Sequence, residues 1–382
     1  ATVCSPCGNY WGNQYVVQNL GEHTTHLEDP LDPTAWSTYS HAQFGNRSLA
    51  FIKEAVAADQ PFFAYIGTTG PHLPSIPAPW HLDQVNRWNL TAPRTPNFNR
   101  QSPDHHPIIA SLPEITDEGV AFVDKHMRDR VGTLLSIDDL VGEMVRGLDA
   151  LGVLDNTYIV FSSDHGYHLG QWRLPMEKMW PYETDIRIPF FMRGPGIAAG
   201  TTSDVMALNL DIAPTLLTLA DIPVPPTYDG KSLVPLVVGP LDERVSAQRG
   251  WRDRTVISFA EGYFQYWGHT SISNGTSASP QTTEHPLNKS KSGVEYVFDA
   301  PPNQWRMLRV ANASHNVSFV EWDPEFLFLG PAAFRAFYDV GRDPFQQHNI
   351  WSTLALQEQR FWQNELASLF SCRGHTGPSA CP

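Results

Sequence analysis

Apolar positions recur at helical spacing over residues 46–58, where Leu49, Ile52 and Val56 predict a helix. The run 61–67 is almost wholly apolar and stops at Thr68-Thr69-Gly70-Pro71, which predicts a short buried strand ending in a polar loop. Residues 71–115 show no period and are rich in Pro, Asn and His, so they predict a long surface excursion. The strongest helical pattern covers 116–151. Its stripe is Met127, Val131, Leu134, Asp138, Val141, Val145 and Leu148, and Gly152 is a natural terminator. Apolar runs at 158–161 and 188–192 predict two further buried strands, and 209–220 another helix. Helix and strand alternate as in an α/β domain built on a mostly parallel sheet.

The texture changes near residue 245. Alternating patterns at 255–259, 305–310 and 334–338 predict an antiparallel sheet, 268–293 is a Ser/Thr/Asn/Gly-rich loop, and 352–370 predicts a last helix. Two domains are therefore expected: an α/β domain over 1–245 and a smaller α+β subdomain over 246–382. Near the start, 15–17 is a strand candidate before a turn at Asn19-Leu20-Gly21.

Composition narrows the function classes. Hydrophobic residues make up 41% of the 382, with 12 Trp and 20 Phe, which is ample for a core and argues against disorder. The formal charge of −14 argues against a nucleic-acid partner. No stretch reaches the roughly 18 apolar residues of a membrane span. Sequons at Asn46, Asn89, Asn274, Asn288, Asn312 and Asn316 favour the secretory pathway. Of the four Cys, Cys372 and Cys381 suit a short disulfide loop, and the Cys4/Cys7 pair lacks the second pair that a zinc site needs.

Chemistry collects where the strands end. In open α/β sheets ligands bind beyond the C-terminal ends of strands. One such end carries Pro71-His72-Leu73-Pro74 and another Asp164-His165-Gly166. Asp164 and His165 are both competent metal ligands, and Gly166 permits a tight turn. Asp138-Asp139 looks like a paired-carboxylate site, but adjacent helix residues point about 100° apart, so these read as surface acids. His105-His106 and His23/His26 lack carboxylate or Cys partners at ligand spacing and read as loop histidines.

The order Gly70-Pro71-His72, then Ser163-Asp164-His165-Gly166, then Lys178-x-x-x-Tyr182-Glu183-x-x-x-Arg187-x-Pro189 resembles the sulfatase family of the alkaline-phosphatase-like superfamily. Further stretches, Leu135-Ser-Ile-Asp-Asp-Leu-Val141, Arg193-Gly-Pro-Gly-Ile197, Asp211-Ile-Ala-Pro-Thr215 and Tyr338-Asp-Val-Gly-Arg-Asp-Pro344, are similar to its N-acetylglucosamine-6-sulfatase and arylsulfatase-like branch. The resemblance implies an alkaline-phosphatase-like mixed, mostly parallel sheet between helices, with a small C-terminal α+β subdomain. It implies a sulfuric ester hydrolase acting on sulfated sugars, such as 6-sulfated N-acetylglucosamine in glycosaminoglycans, in the lysosome or outside the cell. Two alternatives stand beside it: a phosphatase or phosphonate hydrolase of the same superfamily, and an inactive, glycan-binding relative.

Carried over by position, Asp164 and His165 would be divalent-cation ligands. The resemblance implies Ca2+, although a His nitrogen is an imperfect calcium donor. Lys178 would bind a sulfate oxygen and offset charge on the leaving group. His72 would contact the sulfate or protonate the leaving oxygen. His168 would either face substrate or serve as a polar residue at a helix start. The family's nucleophile is a formylglycine made from Cys or Ser in a Cys/Ser-x-Pro-x-Arg motif. Cys4-Ser5-Pro6-Cys7-Gly8 lacks the Arg, and only 67 residues separate Cys4 from His72, so no nucleophile is assigned. The expectation is that the formylglycine lies outside this sequence, which then reads as a processed heavy chain (with an N-terminal chain of the same precursor as its partner), a truncated gene model or a fragment, and that this chain alone is inactive. The charge fits an acidic compartment: full protonation of the 15 His would bring the formal sum to about +1.

Overall fold

The computed structural model describes residues 14–19, 22–27, 39–260, 303–324, 328 and 330–372. The chain forms two compact units. One is Ala1–Ala92 with Ala121–Tyr158, and the other is Pro93–Val120 with Ile159–Pro382.

The first unit opens with a hairpin, β1 (Gln14–Asn19) and β2 (Glu22–Leu27), whose register pairs Asn19 with Glu22. His23 and His26 lie on β2, and their side chains are outside the described residues, as are Cys4 and Cys7. Helix α1 (Ser40–Ala57) starts six residues before the predicted span, and α2 covers Pro79–Trp88. Most of the long α4 (Asp117–Ala150) belongs here, as its pattern required. The buried face of α4 is not the predicted stripe. It runs through Val123, His126, Thr133, Ile137, Leu140 and Leu148, whereas Leu134 is exposed. Small Thr133 and Ser136 are buried on this face, where Pro77 and Val85 approach Gly132, and Gly45 and Leu49 of α1 approach Leu140 and Gly147. The close approach is visible at Gly147, where a Cβ would lie 2.4 Å from Leu49.

The run 61–67 is not a strand. It has no ladder partner among the described residues, and Phe63 and Tyr65 stand 68% and 88% exposed. Residues 71–115 are not an open excursion either. They contain α2 and α3 (Pro107–Ala110) and bury Asn97, His105, His106, Ile108, Ile109 and Leu112.

The second unit contains the predicted strands 158–161 and 188–192 as β3 (Ile159–Ser162) and β4 (Phe190–Arg193). They pair antiparallel, Ile159 opposite Arg193, and no parallel pair occurs among the described residues. Between them lies the one-turn α5 (Glu183–Ile186). After β4 come α6 (Ile212–Leu219), α7 (Val234–Val237) and α8 (Leu241–Arg249).

The expected C-terminal sheet is present as four antiparallel strands in chain order: β5 (Arg254–Phe259), β6 (Trp305–Ala311), β7 (Asn316–Trp322) and β8 (Phe334–Asp339). The sequence reading missed β7, whose Asn316 it took only as a sequon. Helix α9 (Leu356–Phe370) follows. Alternation along the strands makes both faces apolar. Leu308, Val310, Val317, Phe319 and Phe337 face Trp362 and Leu366 of α9. Trp305, Met307, Val320, Trp322, Ala336 and Tyr338 face Ile108, Ile109, Trp172, Leu174, Trp180 and Tyr182. The sheet is therefore the floor beneath the 172–182 segment, which carries Lys178.

Phe319 is fully buried between the sheet and α9, stacked at 4.8 Å on Trp351. Phe319→Ala is expected to lower unfolding stability by about 3–5 kcal/mol in urea titration of the chain. A change within experimental error would mean that α9 does not close this face.

Candidate active site

The residues singled out from the sequence fall in both units. In the first, His72 sits on a loop braced from below. The Ser40 hydroxyl meets that of Thr69 at 3.1 Å. His41 Nε2 accepts the Gly70 N–H at 3.0 Å. Arg130 donates to the Pro71 carbonyl at 2.9 Å, and the Ser75 hydroxyl donates to it at 3.0 Å. His72 itself is exposed, and its Nδ1 lies 2.8 Å from the Leu73 carbonyl. A carbonyl can only accept, so Nδ1 carries the proton and the neutral ring keeps its basic lone pair on Nε2. The sequence reading did not single out His41. Burial lowers its pKa to about 4, so it remains a neutral acceptor for the Gly70 N–H above that pH.

In the second unit, β3 ends where expected, and Asp164 and His165 follow directly. The Asp164 side chain is 82% exposed and its Oδ2 lies 3.3 Å from His165 Nε2. The other carboxylate oxygen accepts the His165 N–H at 3.0 Å and the Ser163 hydroxyl at 3.2 Å. His165 Nδ1 donates to the Gly166 carbonyl at 2.7 Å, which directs Nε2 toward the carboxylate. Asn209 donates to the carbonyls of Ser163 and Asp164 at 3.3 Å each and so ties down the turn. Gly166 is needed for close approach as well as for the turn. A Cβ there would lie 2.0 Å from the Thr184 carbonyl oxygen.

Asp164 and His165 thus form two adjacent donors with room in front of them, which suits part of a cation shell. Calcium takes six to eight oxygens, and no group of three or more His, Cys, Asp or Glu is arranged for a metal among the described residues. The pair would supply two of the ligands of a divalent cation.

Lys178 stands on a strained turn. Glu177 and Met179 on either side have φ of 109° and 94°, in the region that favours glycine. Non-glycine residues held there cost on the order of 1–3 kcal/mol each and persist only where surroundings force them. The Lys178 ammonium lies 3.0 Å from Glu177 Oε2, and both side chains are largely buried. One ammonium N–H serves this pair, which leaves two donors for a ligand oxygen.

His168 is not at the surface. It is fully buried, with Nδ1 3.1 Å from both oxygens of Asp185 and Nε2 3.0 Å from the Met176 carbonyl. Both nitrogens face acceptors, so the ring makes both bonds only with a proton on each. Neither is left for substrate in this conformation. Asp185 and Glu177 received no role from the sequence. Asp185 lies within the recognised motif, but nothing in its spacing announces burial.

Three further histidines, His81, His105 and His106, have structural partners. His81 bonds Asp139 at 2.7 Å, which makes that acid a helix-surface partner, and Asp138 is exposed. His105 and His106 are core residues rather than loop histidines. His105 is held by Asp104 at 3.0 Å and by the Gln346 carbonyl at 2.9 Å. His106 stacks on Trp322 at 5.2 Å, and burial drives its pKa from 6.5 to about 4. The sequence could not show this, because their aromatic partners lie between 67 and 233 positions away.

Comparison with known proteins places both fold and chain. Among solved structures, a protein crystallised with its substrate D-glucosamine-2-N,6-O-disulfate matches with a TM-score of 0.65 at 19% identity, covering 96% of this chain and 74% of that chain. A phosphonate monoester hydrolase of Agrobacterium radiobacter matches with a TM-score of 0.61 at 20% identity, covering 89% and 61%. These likenesses establish the alkaline-phosphatase-like fold. The sulfatase family model matches residues 3–222, and one for the C-terminal part of N-sulphoglucosamine sulphohydrolase matches 170–277. The human N-acetylglucosamine-6-sulfatase is 33% identical over 326 residues, 83% of this chain and 53% of that protein. An extracellular sulfatase homologue of Drosophila melanogaster is 36% identical over 215 residues, 56% of this chain and 19% of that protein. The chain belongs to the sulfatase family. It spans about half the length of the N-acetylglucosamine-6-sulfatases it matches.

The buried His106 ring has a consequence for pH. Its folded pKa lies below its unfolded value, so its contribution is complete above about pH 6.5 and is lost as pH falls toward about 4. At pH 5 the loss is on the order of 2 kcal/mol. His106→Phe, which keeps a ring in the stack, is expected to remove most of that acid sensitivity. Urea titrations at pH 7 and pH 5 with the wild-type slope in the variant would count against a neutral buried ring.

Proposed function

We propose that this chain supplies the cation and sulfate side of a sulfuric ester hydrolase acting on sulfated sugars, 6-sulfated N-acetylglucosamine in glycosaminoglycans being the favoured substrate. The observation that carries the reading is the turn at 176–180. A lysine with two donors to spare is held on strained backbone within one unit with the exposed Asp164–His165 pair, in a chain of the sulfatase family. Lys178 would bind a sulfate oxygen and balance charge as the ester bond breaks. His72, whose Nδ1 is held by the Leu73 carbonyl so that Nε2 is the nitrogen left to gain a proton, would contact sulfate or pass a proton to the leaving oxygen in its form protonated on Nε2.

Asp164 and His165 would hold a divalent cation, Ca2+ in our reading. When bound, such an ion adds positive charge next to the sulfate oxygens. The remaining ligands and the formylglycine would come from a segment of the same precursor. Two observations favour that partner. Phe63, Tyr65 and Phe191 are exposed on runs patterned for burial, and the matched relatives are about twice the matched length. A four-residue, two-stranded ribbon such as β3–β4 is also marginal alone.

The division at 1–245 and 246–382, a Cys372–Cys381 disulfide, glycosylation, and a lysosomal or extracellular location belong to the same proposal. Not all sequons serve it equally. Asn46 lies within α1, and the Asn312 amide donates to Asp253 at 2.6 Å.

The chain alone is expected to turn over no aryl sulfate above buffer, with or without Ca2+, and turnover would sink the split-site reading. In the full-length protein, Lys178→Ala is expected to lower kcat/KM about 10²–10³-fold. Asp164→Asn is expected to weaken Ca2+ binding at least about tenfold by calorimetry. Wild-type kinetics in the first variant, or wild-type affinity in the second, overturns the corresponding role.

A further inference from the structure

Lys178 is aimed by backbone that would not hold its shape unaided. The two positive φ values at Glu177 and Met179 need an external frame, and the structure shows one. On one side of Lys178, the Met176 carbonyl accepts from His168 Nε2 at 3.0 Å and the Glu177 carbonyl accepts the His168 N–H at 2.9 Å. On the other, the Trp180 N–H donates to Asp185 Oδ2 at 3.0 Å. The Met179 carbonyl accepts from Asn303 at 3.2 Å and from the Trp305 indole at 2.9 Å. Three of these five bonds lead to His168 or Asp185, and those two side chains bond each other.

The same pair also reaches the proposed cation turn. The Asp185 carbonyl accepts the Gly166 N–H at 2.7 Å, and its neighbour Thr184 accepts the Tyr167 N–H at the same distance. The Thr184 hydroxyl donates to Asp185 Oδ1 at 3.0 Å. The Asp185 carboxylate therefore takes its bonds from an imidazole, an amide and a hydroxyl. Such a buried polar cluster has partners for its atoms and is rigid.

We propose that the buried His168–Asp185 pair is a positioning device for Lys178, fixing the strained 176–180 turn against the Asp164–His165 turn. It touches no substrate and acts through the lysine. The inference rests on the reading of Lys178 as the sulfate-binding cation, and its test is built so that each can fail alone.

The readout is the labelling rate of each lysine in the folded full chain by an amine-reactive ester, resolved by peptide mass spectrometry. Lys53, Lys125 and Lys231 serve as internal references. Asp185→Asn is expected to raise Lys178 labelling at least about fivefold, with the references within about twofold. Thr184→Val removes one bond to Asp185 and is expected to give a rise of about two- to threefold. Thr184→Ser keeps that bond and is expected to restore the wild-type rate. If Asp185→Asn does not fold, the Thr184 pair decides. Unchanged Lys178 labelling, a rise shared by all lysines, or no difference between Thr184→Val and Thr184→Ser overturns the proposal. Protection of wild-type Lys178 by inorganic sulfate is measured in parallel. Its absence counts against the sulfate role and leaves the labelling comparison to judge the positioning role.

Discussion

The second unit depends on an aromatic seam. Trp172, Trp180 and Tyr182 lie buried against Trp305, Trp322 and Tyr338 on one face of the C-terminal sheet. Trp172 and Tyr182 stack at 4.1 Å, and Tyr182 meets Tyr338 edge-on at 5.9 Å. Aromatic side chains of this size each bury roughly 150–250 Å² and dominate a local core. The seam fixes residues 172 to 182, and Lys178 is inside that interval. The C-terminal sheet is thus not an appendage to the chemistry. It holds the backbone from which the lysine projects, and Asn303 and Trp305 reach across to the Met179 carbonyl.

Buried charge is the second organising feature. Asp185 lies beneath the lysine turn, Asp211 pairs with Arg252, and Glu321 bridges Arg306 and Arg335 across three strands. Each acid accepts several hydrogen bonds, as a buried carboxylate must. Such pairs add less to net stability than apolar packing would, because desolvation offsets the attraction. What they supply here is position, since only one arrangement satisfies the oxygens. By contrast, the one acid proposed to meet a ligand is exposed: Asp164 extends into solvent while Asp185 is sealed. Exposure separates the carboxylate proposed to meet a cation from the one that braces the neighbouring turn.

Much of the architecture was legible in periodicity. The 34-residue helix, the strands at 159 and 190, three of the four C-terminal strands and the last helix fall close to their patterns. The failures share a cause. The run 61–67 has the composition of a buried strand, but a strand exists only with a hydrogen-bonding partner, and its Tyr65 stands almost fully exposed. The 71–115 stretch looks like surface because it is polar, yet Asn97 and His105 are buried by partners at Phe345 and Gln346. The buried face of α4 includes Thr133 and Ser136 and leaves Leu134 exposed, because the segments that pack on a helix, and not its own period, select the face that is covered.

From its residue order, the chain determined the motif proposed to carry the chemistry: Asp164-His165-Gly166 at a strand end and Lys178 ahead of Tyr182-Glu183. These are local facts, set by which side chains follow a strand and by the short-range turns glycine permits. Only the tertiary structure decided what each polar residue is for. His165 and His168 are three positions apart and look alike in sequence. One meets an exposed carboxylate and the other is sealed between Asp185 and the Met176 carbonyl. A histidine's role follows from which donors, acceptors and aromatic rings surround it. Those neighbours come from distant segments, brought in by burying apolar surface rather than by anything written beside the residue itself.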